Sequence, residues 1–84
     1  MNIEEIEHFL DTKTSVSQNY VKIDFKKRNP IYGLFIKDRD YVDLKSKNFW
    51  RIVSEANFEQ WKQSKDYNLC RMFNGSEFTK LALN

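Results

Sequence analysis

The chain has 84 residues, the length of one domain. Seven Phe, four Tyr and two Trp stand against two Gly and one Pro, which supplies a dense core and excludes a Gly-rich scaffold or a disordered linker. Net charge is +2, from 14 Lys and Arg against 12 Asp and Glu, a balance too even to demand nucleic acid.

One cysteine, Cys70, excludes an internal disulfide. The opening residues are acidic and amphipathic, without the basic and apolar regions of a signal peptide. No run approaches the ~18 apolar residues of a membrane span. A cytoplasmic location without a membrane role is therefore expected.

Ile3, Ile6, Phe9 and Leu10 recur at helical spacing, and Asn2 with Glu5 forms a capping box, so residues 2–11 are expected to be a short helix. Residues 11–19 hold no period and are expected to be a linker. Strands are expected at about 20–27, 31–37, 41–45 and 49–53. In the first, Val21, Ile23 and Phe25 alternate with Lys22, Asp24 and Lys26; Pro30 ends it. Gly33 inside the second points to a bend or a close backbone approach. In the third, Val42 and Leu44 alternate with Tyr41, Asp43 and Lys45.

Residues 57–65 are expected to form a second helix, with Asn57 and Gln60 as its capping box and Phe58 and Trp61 one turn apart. Two more strands follow at about 67–73 and 76–83. Asn74-Gly75 predicts a tight hairpin turn between them, with positive φ at Gly75. Many short strands with tight turns predict a mainly β fold with short helices, a small antiparallel barrel or sandwich. The long crossovers of a parallel sheet are missing.

The chemistry of several enzyme classes is missing too. With only Gly33 and Gly75, no dinucleotide or phosphate loop can be built. His8 and Cys70, each the sole residue of its type, cannot make a structural zinc site. His8 is expected at the rim of the first helix and Cys70 as a small buried hydrophobe. No enzymatic role, metal or cofactor is expected.

Two segments together resemble the signatures of the Sm and Sm-like family. Gly33 is followed eight residues later by Tyr41, then Val42, Asp43 and Leu44; farther on come Phe73, Asn74, Gly75, Phe78 and Leu81. The resemblance covers most of residues 2–45 and 69–83, with 46–68 as an insertion. It implies a small, strongly bent antiparallel β-barrel of SH3-like or Sm-like type, with an N-terminal helix and an inserted helix, that binds RNA bases in a pocket, with Tyr41 stacking on a base. Asp43 stands where the family has Asn, and Asn74 where it has Arg. A carboxylate only accepts hydrogen bonds, and the lost Arg removes a planar donor fork, so such a pocket would be more negative than the family's.

Two readings stay open. In the first, the module binds single-stranded RNA weakly: Lys26, Lys27 and Arg28 contact phosphates, while Tyr41, Asp43 and Asn74 form the pocket. In the second it is a protein-interaction or assembly module, with Phe58 and Trp61 facing a partner. The basic run also suits a solvated hairpin tip, and the tryptophans suit a core. Self-association is expected through the 69–73 edge unless 46–68 covers it. A monomer or dimer is expected ahead of a full ring.

Overall fold

The computed structural model describes residues 1–13 and 20–83. Most of the expected 11–19 linker lies outside them. The elements are α1 (Ile3–Lys13), β1 (Val21–Phe25), β2 (Ile31–Phe35), α2 (Tyr41–Ser46), β3 (Phe49–Ser54), α3 (Phe58–Ser64), β4 (Cys70–Asn74) and β5 (Phe78–Leu83), with 3-10 turns at Glu55–Asn57, Tyr67–Leu69 and Gly75–Glu77. All strand pairs are antiparallel, in the sheet order β4-β3-β2-β1-β5. The domain thus combines a five-stranded sheet with short helices.

The capping box at α1 is formed in both directions: the Asn2 amide donates to Glu5 Oε1 at 3.0 Å and the Glu5 amide to Asn2 Oδ1 at 2.8 Å. This helix buries Ile6 and Leu10 against Val21, Ile23, Trp50, Ile52, Phe78 and Leu81, the main core. Phe78 and Leu81 both point inward although they lie three positions apart, an odd spacing that period 2 would send to opposite faces. A register shift opposite Asp24 and Phe25 removes one residue from the alternation, as a bulge does. Val53 and Trp61 are buried outside this cluster, where α3 packs on β3.

The sheet is sharply curled. Five flat strands at about 4.8 Å spacing would hold their outer members about 19 Å apart. The three residues Gly75–Glu77 join those outer strands, and from Asn74 to Phe78 the chain can reach only about 14 Å even when extended. Aromatic packing reports the same curl: Phe25 of β1 and Phe73 of β4, three strands apart in sheet order, have ring centroids 5.4 Å apart. No ladder joins β4 to β5 among the described residues, so the sheet stays open along that seam.

Four expectations are corrected. Residues 41–45 lie in helix α2, not a strand, so the described residues form five strands rather than six. The segment is short enough to fit either period. The period near 3.6 prevails because it turns Tyr41, Leu44 and Lys45 inward, with the Tyr41 ring 6.1 Å from Trp50 and Lys45 paired to Glu7 of α1. Second, β4 begins at Cys70, after a 3-10 turn capped by Asp66, whose side chain accepts from the Asn68 amide at 2.9 Å.

Third, Asn74-Gly75 does not close a hairpin between adjacent strands, and Gly75 does not have positive φ. Asn74 caps a 3-10 turn by accepting from the Ser76 amide. Gly75 is needed for space instead: a Cβ there would lie 2.5 Å from Ile6 Cδ1, 2.7 Å from Trp50 Nε1 and closer still to Asn48 Oδ1. The left-handed residue at this junction is Asn48, at φ 61°, whose carbonyl accepts from the Gly75 amide at 2.7 Å. Fourth, residues 46–68 are not a detachable insertion, because they contain β3, paired on both sides. Gly33 does permit a close approach, since a Cβ there would sit 2.7 Å from the Val53 carbonyl oxygen.

Candidate functional site

Period 2 along β4 decides which of its side chains face the core. Phe73 pairs opposite Trp50 and Arg71 opposite Ile52, so Arg71 and Phe73 leave the sheet on its inner, concave face. The loop after β1 approaches the same place. The Lys26 amide donates to the Glu77 carbonyl at 3.0 Å, which anchors the loop to the β4–β5 turn. The Arg28 guanidinium then lies over two rings, 5.1 Å from the Phe25 centroid and 5.5 Å from that of Phe73.

Two hollows flank this arginine. One, of about 150 Å³, is lined by Arg28, Arg71, Ser54 and Asn57 over an apolar floor that includes Ile52 and Phe73. The other, of about 240 Å³, lies between Phe25 and Phe73, with Lys27, Asn74 and Glu77 at its margin. No carboxylate pairs with Lys26, Lys27, Arg28 or Arg71 among the described residues. The groove therefore offers cations beside aromatic surface, which suits an anion attached to a flat apolar group.

Of the residues singled out from sequence, Lys27, Arg28 and Asn74 come together here, and Lys26 is exposed beside them. Tyr41 and Asp43 do not join them. A strand would place both on one face, whereas helix α2 sets them about 200° apart around its axis. Tyr41 is half-buried against Trp50, with Lys37 and Lys45 ammonium groups 5.4 and 5.6 Å from its ring centroid. Burial pushes its hydroxyl pKa up. Asp43 is exposed. Trp61 is buried, 5.2 Å from Tyr67 in an edge contact, so its ring is not presented outward; Phe58 is half-buried against Tyr20.

Among the lining residues, Arg71, Ser54 and Glu77 were not singled out as site residues from sequence, Phe73 entered only within the family resemblance, and Asn57 was read only as a cap. One signal was available. Leu69, Arg71 and Phe73 share a parity, which puts a charge on an otherwise apolar face.

The outer face of the same strands carries a different cluster. Arg51 binds Asp40 through two bonds, Nη1 to Oδ1 at 2.7 Å and Nη2 to Oδ2 at 2.8 Å, and approaches Asp38 at 3.9 Å. Hydrogen bonding from Arg51 holds the Asp40 carboxyl below its ordinary pKa. The Tyr67 hydroxyl, then the Arg39 amide and the Arg51 charge, do the same for Asp38. Cys70 nearby has its thiol pKa raised by burial.

Among the described residues no group of three or more His, Cys, Asp or Glu is placed to hold a metal ion, and no helix is long and apolar enough to cross a membrane. Comparison of the chain with protein-family models, with curated proteins and with solved structures returned no match.

Proposed function

We propose that this domain is a non-enzymatic binding module of the small bent-barrel, Sm-like type, and that it binds single-stranded RNA weakly across the groove between the Lys26–Arg28 loop and β4. The barrel reading is supported by the curl that brings Phe25 of β1 against Phe73 of β4, and by α1 packing over the inner core. The RNA reading rests on one observation: Arg28 and Arg71 flank the Phe73 ring without a carboxylate partner among the described residues. Cations that track a backbone beside rings that accept bases are the two components of single-strand binding.

The reading moves the site away from Tyr41 and Asp43. Binding should fall steeply with salt, with a log–log slope of about −2 if three phosphates are neutralised. Fluorescence anisotropy with a labelled oligouridylate at low and moderate salt tests this. A slope near zero, or binding that survives charge reversal at Lys26, Lys27 and Arg28, would rule it out.

One observation favours a second reading, as an assembly module. Among the described residues β4 and β5 are each paired with a strand on one side only, and β4 exposes Met72 to 53%. Unpaired edges of this kind accept another strand. Light scattering at high protein concentration decides it: a particle of the chain's own 10.2 kDa excludes assembly through these edges.

A further inference from the structure

We infer that the smaller hollow is a subsite for a terminal phosphate, so that the module holds the phosphorylated end of a single strand. This rests on the RNA reading above and narrows it to one chemical group.

Four polar side chains converge on that hollow without a side-chain hydrogen bond among the described residues. Arg28 lies over two aromatic faces, and among the described residues neither it nor Arg71 has a hydrogen-bond or carboxylate partner. Ser54 and Asn57 stand at the N-cap positions of the 3-10 turn and of α3, where such side chains ordinarily accept a backbone amide; neither does so. Ser54 lies opposite Gly33, which has no side chain to crowd it. Two guanidinium groups at one hollow repel each other unless an anion lies between them.

The size and the neighbouring hollow specify the anion further. About 150 Å³ accepts a phosphate group and falls below the 300–1,000 Å³ range of sites for larger ligands. Ile52, at 1% exposure, closes the floor. A bridging phosphodiester must continue in two directions, whereas a monoester enters end-on. The monoester also carries a charge of about −1.5 to −2 and three acceptor oxygens, which better match four donors. Glu77 borders the larger hollow and makes it the poorer place for phosphate, while Phe25 and Phe73 suit it to the terminal base.

The test uses three forms of one labelled hexauridylate: 5′-phosphorylated, 3′-phosphorylated, and with hydroxyls at both ends. One phosphorylated form should bind about tenfold tighter than the hydroxyl form, the gain expected from added charge-assisted hydrogen bonds. Whether it is the 5′ or the 3′ form names the end. Asn57→Ala should erase that difference while weak, salt-dependent binding persists, and Arg71→Gln should erase it and weaken the remaining binding as well. Both side chains lack partners, so neither variant should lose its fold. Equal binding of all three forms overturns the subsite and leaves the RNA reading standing. No binding of any form at low salt overturns the RNA reading itself. Tighter binding of a phosphoserine hexapeptide than of any oligonucleotide would reassign the hollow to a protein ligand.

Discussion

Arg51 and Arg71 lie on paired strands, yet they occupy opposite chemical situations. Arg51 pairs opposite Met72 and Arg71 opposite Ile52, so the pleat sends them to opposite faces. On the outer face Arg51 is 15% exposed, held by both oxygens of Asp40 and neighboured by Asp38, with its guanidinium 5.2 Å from the Tyr67 ring centroid. On the inner face Arg71 is exposed, and it meets Arg28 at a hollow without carboxylates. An arginine whose fork is filled ties α2 and its approach to the sheet. One whose fork is empty does nothing for the isolated domain and is available to a ligand.

The frame that keeps these faces apart can be broken first. Trp50→Ala should cost about 3–5 kcal/mol, because the ring is 1% exposed and packs on Phe35 and Tyr41. Gly75→Val should cost about 3 kcal/mol, since its side chain would collide with Ile6 and Trp50. Urea denaturation measures both. An unchanged midpoint for Gly75→Val would remove the central tie between the β4–β5 turn and the core.

Smaller perturbations sharpen the contrast. Arg51→Gln should lower the melting temperature, because it strands two carboxylates, and should leave RNA binding within twofold of the parent. Arg71→Gln should do the reverse: an unchanged or slightly raised melting temperature and weaker binding. A third test uses acid. Asp38 and Asp40 have native pKa values below their unfolded ones, so their stabilisation is complete above about pH 4 and is lost as pH falls through the depressed native values. The parent's melting temperature should drop below about pH 4, and Asp40→Asn should flatten that limb. An acid limb that Asp40→Asn leaves unaltered would mean that other carboxylates dominate.

Where the residues offered one clear period, local structure was legible. The α1 stripe with its capping box, the alternation of β1 and the apolar run of β2 all appear within two residues or so of the expected bounds. The segment 41–45 misled because five residues satisfy both periods, and only the distant Trp50 and Glu7 select the helix. Asn74-Gly75 misled for another reason. Its composition suits a hairpin, but its job is to cross between the outer strands of a curled sheet, a property of the whole fold.

The site was half legible for the same reason. Lys27 and Arg28 are neighbours in the chain and Asn74 entered through the family resemblance, whereas the meeting of Arg28 with Asn74 and Arg71 exists only once the curl brings β1 to β4.

The most direct test of the two-arginine account is anisotropy with one labelled oligouridylate at a single low salt, comparing Arg28→Gln/Arg71→Gln with Arg51→Gln. The account predicts at least about a tenfold loss of affinity in the first protein and no change in the second. Equal losses in both, or a loss confined to Arg51→Gln, would contradict it.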